Sequence, residues 1–148
     1  MKREWTIVVN IEPVGKGRPR AVNRGGFVSL YTPKKTKVFE KSVERVVRAS
    51  FKGRDKIETS VAVCVFAVFK RPKNKSRKKD ADGLIYKTTK PDADNVLKAV
   101  LDAMVNAGAI SDDALVVDAR CIKLHSEKGS DGRVIIKLAC NPELKLAD

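Results

Sequence analysis

Apolar and mostly polar residues alternate through Trp5, Ile7, Val9 and Ile11, the period-two signature of a strand with one buried face. Pro13 and Gly15 are placed to end it. Phe27 to Tyr31 reads as a second, short strand, and Thr32 followed by Pro33 reads as an N-cap with proline in the first turn of a helix. That helix gathers Val38, Phe39, Val43, Val46 and Val47 on one side, with Ser50 at the margin; Lys34, Lys37, Lys41, Arg45 and Arg48 occupy the remainder. Gly53 is placed to stop it. Val61 to Phe69 is rich in β-branched and aromatic residues, which predicts a central strand buried on both faces. From Lys70 to Lys90 the character reverses into a cationic stretch with little apolar content. A loop of this length in a compact domain is usually functional or disordered, and this one is expected to be mobile alone and ordered by nucleic acid. A second amphipathic helix is predicted over Asn95 to Ala107, with Asp94 as N-cap and Gly108 as stop. Leu115 to His125 and Arg133 to Cys140 then read as two strands of a hairpin, joined around Lys128-Gly129-Ser130-Asp131-Gly132.

Composition narrows the class. At 148 residues the chain has the size of one domain, expected to span 1–148, and its 43% hydrophobic content lies outside the disordered range. The 31 lysines and arginines outnumber 18 acids, for a net charge of +13. Such an excess attracts phosphate backbones by counterion release, so nucleic acid is the expected partner; charge that serves only solubility is the plainer alternative. Three cysteines, none in C-x-x-C spacing, suggest neither a disulfide framework nor a thiolate zinc site. Cys64 and Cys121 read as small buried hydrophobes. The first residues turn directly into a strand pattern without a signal-peptide apolar region, and Val61 to Phe69 is too short to span a bilayer as a helix. A soluble, cytoplasmic protein is expected.

Against this basic background the acids of Lys90-Pro91-Asp92-Ala93-Asp94-Asn95-Val96-Leu97-Lys98 and of Asp112-Asp113 stand out. Asp92 and Asp94 are one residue apart, so in an extended approach to the helix both side chains can point the same way and share an oxygen-lined site. Carboxylates suit magnesium or manganese, whereas zinc more often recruits His or Cys. The one histidine, His125, has no ligand partner at suitable spacing and reads as structural or surface. Each acid also has a plainer role: Asp94 as a helix cap, Asp112-Asp113 as a polar turn. Lys98, one helical turn after Asp94, can either pair with it or reach a scissile phosphate and stabilise its developing charge. Asp102, a further turn on, reads as a structural partner for Lys98. Near the N-terminus, Gly15-Lys16-Gly17-Arg18-Pro19-Arg20 combines glycines that let backbone approach a ligand with three cations that suit phosphate. The same segment reads equally well as a solvated basic turn, and it lacks Walker spacing.

Taken together, Asp92-Ala93-Asp94-Asn95-Val96-Leu97-Lys98, Asp102-Ala103-Met104-Val105-Asn106-Ala107-Gly108 and Asp112-Asp113-Ala114-Leu115-Val116-Val117 resemble the RusA family of Holliday junction resolvases, small endonucleases often encoded by phages and prophages. The family pattern is D-x-D-N-x-x-K into a helix ending in D-A-[LM]-x-x-A-G, then an acidic pair and a strand. The resemblance implies a single α+β domain with a mixed β-sheet flanked by two main helices. It further implies that Asp92, Asp94 and Asp113 are the essential carboxylates holding magnesium, or manganese in its place, with Asp112 as a further candidate ligand and Lys98 as the essential lysine. A homodimer acting on branched DNA is implied too, since two sites related by a two-fold can nick opposing strands of a four-way junction. The cations expected to hold DNA are Lys16, Arg18 and Arg20, together with Lys70, Arg71, Lys73, Lys75, Arg77, Lys78, Lys79, Lys87 and Lys90. A less selective flap or fork nuclease, and a non-catalytic nucleic-acid binder retaining the fold, are the competing readings.

Overall fold

The stretch with the strongest β-branched character becomes the middle of a five-stranded sheet. In the computed structural model, which describes residues 3–17 and 20–144, the strands are β1 (Glu4–Val9), β2 (Arg20–Arg24), β3 (Phe27–Tyr31), β4 (Val61–Phe69), β5 (Ile85–Tyr86), β6 (Val116–His125) and β7 (Arg133–Cys140). Helix α1 (Lys34–Ser50) follows β3, and α2 (Ala93–Asn106) follows β5. The main sheet has the order β1-β7-β4-β6-β5, while β2 and β3 form a separate pair. β4 pairs in parallel with β6 and antiparallel with β7, so the sheet is mixed and the fold is α+β with two main helices. A parallel pair cannot be joined by a tight turn, and the connection from β4 to β6 carries α2.

The hairpin expected from the last two strands does not form, because β4 lies between β6 and β7. Their ends are two strand spacings apart, about 10 Å, and residues 126–132 bridge that gap as a loop. Local turn residues report where a chain reverses. They carry no information about a third strand, from far upstream, that buries more apolar surface by inserting between the two.

Alternation along each strand sorts side chains to two faces. On one face Ile7, Ile136, Val65 and Cys121 stand in a row across four strands, and the helices cover them. Phe39, Val43 and Val47 of α1 and Val96, Val100 and Met104 of α2 are all fully buried in this layer; each such side chain contributes about 1.5–3 kcal/mol by leaving water. On the opposite face Ala62, Cys64 and Phe66 of β4 are half-buried. Cys64 and Cys121 are likewise half-buried, not fully enclosed as expected, and burial pushes the Cys121 thiol up to about 11.

Other expectations shift by a residue or a turn. β1 ends at Val9, short of Ile11. The N-cap of α1 is Pro33, without a side-chain cap, so Thr32 does not serve. Val38 points to solvent, and Thr36 and Glu44 join the buried side of α1 in its place. Phe27 to Tyr31 is a strand as expected, but its partner β2 carries no comparable apolar signal. Gly25 and Gly26, both with positive φ, supply the tight turn between the two strands. Phe27, Val28 and Leu30 are 80%, 71% and 70% exposed, so this hairpin projects from the body of the domain. Among the described residues, no helix is long and apolar enough to cross a membrane.

Candidate functional site

Helix α2 starts two residues earlier than the sequence suggests. Asp92, in extended conformation, is the N-cap residue, but its side chain makes no capping hydrogen bond. Asp94 is not the cap. It lies in the first turn, where the helix dipole favours an anion, and its Oδ1 accepts the Asn95 N–H at 3.0 Å. Both carboxylates are exposed. The chain leading into them is held from two sides. Lys123 of β6 donates to the carbonyls of Thr89 at 2.7 Å and Pro91 at 2.8 Å, and the Lys16 amide donates to the Asn95 carbonyl at 2.8 Å.

The glycines of the basic N-terminal segment serve this packing. A Cβ at Gly15 would lie 2.8 Å from Pro91 Cβ, and one at Gly17 would lie 2.9 Å from Pro33 Cγ. Thr36 joins the two glycines, accepting from the Gly17 amide and donating to the Gly15 carbonyl. Their close approach is therefore to the protein's own helices, which corrects the expectation that they make room for a ligand. Lys16 is turned inward as well. Its Nζ meets Glu40 Oε1 at 2.6 Å and Asp102 Oδ2 at 3.1 Å, so it is a half-buried ion-pair partner instead of a free phosphate contact. Arg18 and the side chain of Arg20 lie outside the described residues.

From Asp102 the chain of charges continues. Lys98 Nζ contacts Asp102 Oδ1 at 3.1 Å and Asp113 Oδ2 at 3.2 Å; it does not pair with Asp94. Glu40, Lys16, Asp102, Lys98 and Asp113 thus alternate in sign from the flank of α1, across α2, to the turn before β6. Hydrogen bonds that Lys98 donates to Asp102, then to Asp113, raise its pKa above the ordinary 10.5. For Lys16 burial opposes the charge, but Glu40 and Asp102 together outweigh it and the pKa is again raised. Both lysines are cations throughout the neutral range. Asp112 acts locally, capping the 3₁₀ turn Asp113–Leu115 by accepting the Ala114 N–H at 2.7 Å. Among the described residues, no three His, Cys, Asp or Glu side chains are grouped so that they could hold a metal ion. Asp113 is brought to Lys98, while Asp92 and Asp94 stand at the start of α2 without a third carboxylate grouped on them.

The Lys70 to Lys90 segment has an internal frame. Arg71, only 6% exposed, donates to the carbonyls of Ser126 at 2.9 Å and Lys75 at 3.3 Å, and also to those of Ala81 and Gly83. Its guanidinium is spent on backbone, which removes it from the set of DNA contacts the sequence suggests. Lys128 closes the far side, donating to the Arg77 carbonyl at 2.7 Å and pairing with Asp82 at 3.2 Å. Lys87 is half-buried over the Phe69 ring at 5.0 Å, and burial, then Lys123, lowers its pKa. Lys70, Lys73, Lys75, Arg77, Lys78, Lys79 and Lys90 are exposed on this frame.

A family model described as Endodeoxyribonuclease RusA matches residues 10–139. The chain belongs to the RusA family. It is also 37% identical over 122 residues to the uncharacterized protein YqaN of Bacillus subtilis (strain 168), a match covering 79% of this chain and 84% of that protein. RusA membership implies an endodeoxyribonuclease.

Within this RusA domain the motif residues divide by position. Lys98, Asp102 and Asp113 converge in space although β6 follows α2 only after a turn. Glu40 and Lys123, which hold the site from α1 and β6, are absent from the sequence motifs. Glu40 had one usable signal: with Glu44 it is one of two acids on a helix crowded with cations. Lys123 had none, since a single lysine in a strand does not announce which carbonyls it will meet. His125 is buried, as its structural reading requires, with Nδ1 lacking a hydrogen-bond partner.

Proposed function

We propose that this RusA-family protein resolves four-way DNA junctions by metal-dependent phosphodiester hydrolysis, acting as a homodimer that places paired symmetric nicks. The observation that carries this reading is the Lys98 ammonium held between Asp102 and Asp113 on the helix whose N-cap is Asp92 and whose first turn displays Asp94. A pure DNA binder of +13 charge gains nothing from exposed acids at a surface meant for phosphate. A phosphodiesterase needs them.

The donor set fits a hard divalent cation: carboxylates alone, without His or Cys, match magnesium or manganese. Asp92 and Asp94 would hold the ion at the start of α2, and Asp113, which is paired with Lys98 and not grouped with them, would have to turn toward them to complete the set, with Asp112 beside it. When bound, such an ion activates water and offsets charge on the phosphate. The chain's own part is positioning and charge. Lys98 presents a fixed cation to the phosphate, where preorganised charge is most effective. Asp102 fixes Lys98, and Lys16 with Glu40 fixes Asp102, so the ammonium need not be reoriented as charge develops. The exposed lysines of the Lys70 to Lys90 segment hold the DNA backbone. A two-fold dimer matches the approximate two-fold symmetry of a junction.

The test is cleavage of a synthetic four-way junction in magnesium, with and without chelator, beside flap and fork substrates. Paired symmetric nicks on the junction, lost with chelator, are expected. Equal cutting of all three substrates would leave a less selective branched-DNA nuclease, and no metal-dependent cutting of any would end the proposal.

A further inference from the structure

The outward face of α1 carries a charge pattern that the site does not use. Lys34, Lys37, Lys41, Arg45 and Arg48 follow one another at intervals of three or four residues. At 100° per residue they fall within an arc of about 80°, directed away from the buried Phe39, Val43 and Val47. All five are exposed, and at 1.5 Å per residue they draw a line about 21 Å long. Lys52 extends it beyond the helix end.

Such a line is costly to the helix. Like charges three or four residues apart on a helix repel, and each of the four successive pairs along this line shares a sign. Glu44, buried beneath the line, answers Lys41 at 3.5 Å and Arg48 at 2.6 Å, and Glu40 is taken by Lys16. Lys34, Lys37 and Arg45 remain outside these pairs. A face that served only solubility would intersperse acids.

We propose that the outer face of α1 is a binding track for a duplex nucleic-acid arm, separate from the acidic site and from the Lys70 to Lys90 segment; the choice of DNA as partner rests on the nuclease reading. The chemistry of the face selects a duplex. A straight row of cations matches the regular phosphates of a duplex strand. Single strands are held by aromatic platforms for the bases, and this face has none. An anionic membrane surface would require apolar residues to insert beside the cations, and Val38 is the one exposed large hydrophobic residue on α1.

The test replaces Lys37→Gln, Lys41→Gln and Arg45→Gln together in the full chain and measures affinity for a plain duplex, a junction and a single strand across a salt series. Losing three phosphate contacts lowers the slope of log affinity against log salt by about 2.7. Duplex and junction affinity fall by about ten-fold or more, single-strand affinity falls less, and the cleavage rate at saturating DNA is unchanged. Thermal stability is unchanged or raised, because like charges are removed. The charge-preserving pair Lys37→Arg and Lys41→Arg retains wild-type affinity. An unaltered salt slope in the glutamine variant overturns the track, as does equal loss for single strand and duplex. Wild-type protein without DNA affinity overturns both the track and the nuclease reading, whereas wild-type binding with an unaltered variant overturns the track alone.

Discussion

Two cation-rich regions of this protein handle charge in opposite ways. Along α2 two lysines are answered by acids: Lys16 by Glu40 and Asp102, Lys98 by Asp102 and Asp113. Across the Lys70 to Lys90 segment the fixed cation is Arg71, held by carbonyls, and the lysines displayed around it project into solvent. Answered charge is immobile and suits a single stereochemical role. Displayed charge is interchangeable and suits attraction along a polymer. The same residue type therefore has different mutational behaviour in the two places.

The largest expected effect sharpens that contrast at the α2 end. Asp92→Asn and Lys98→Ala each reduce the junction cleavage rate by at least about 10²-fold, measured at saturating DNA with magnesium. Junction affinity is unchanged or tighter for Asp92→Asn and falls much less than turnover for Lys98→Ala. If Lys98→Ala lost binding and turnover equally, Lys98 would belong with the displayed cations and the contrast would collapse.

An intermediate effect is expected at Arg71. Removing the guanidinium leaves several carbonyls without their donor, and Arg71→Ala should destabilise the domain by roughly 1–3 kcal/mol, read as a lower urea midpoint. Trypsin should then cut faster between Lys73 and Lys79, with junction affinity reduced and the cleavage rate at saturation retained. Arg71→Lys can satisfy fewer carbonyls and should fall between the two. Wild-type trypsin resistance in both variants would show that the frame does not depend on this residue.

How far sequence could anticipate this follows from the range of each interaction. Periodicity located α1, α2, β1, β4, β6 and β7, because burial of one face is written at fixed intervals. It misjudged the partners of β6 and β7, since pairing depends on which distant strand inserts. Lys98 and Asp102 were legible as neighbours because a helix dictates their i,i+4 spacing, while Lys98 to Asp113 required the turn after α2 to fold back. Arg71 looked like one more cation in a basic run; only the fold reveals that it faces inward, because nothing local distinguishes a guanidinium that meets carbonyls from one that meets water. The hairpin partner β2 escaped for a related reason, as its residues bury little and leave no alternation to read.

The smallest expected effect concerns pH. Burial first, then the nearby Lys87, Lys75 and Arg71, holds the His125 pKa below 6.5. The unfolded chain accepts a proton near 6.5 that the folded chain refuses, so this contribution is complete above that pH and is lost as pH falls through the folded value. The loss is at most about 1.4 kcal/mol per pH unit, seen as a drop in urea midpoint as the pH is taken below about 6.5. His125→Gln should flatten it, and an identical pH dependence in that variant would assign the effect elsewhere.

The placement of β7 has a temporal consequence. It is flanked by β1 on one side and β4 on the other, so β1 cannot pair until β7, far downstream of it in this domain, has been made. Until Arg133–Cys140 emerges, β1 lacks its ladder and the rows under the two helices are incomplete. Assembly of this sheet therefore waits for β7, and a nascent chain halted before Arg133 would expose its half-built interior to whatever chaperone is at hand.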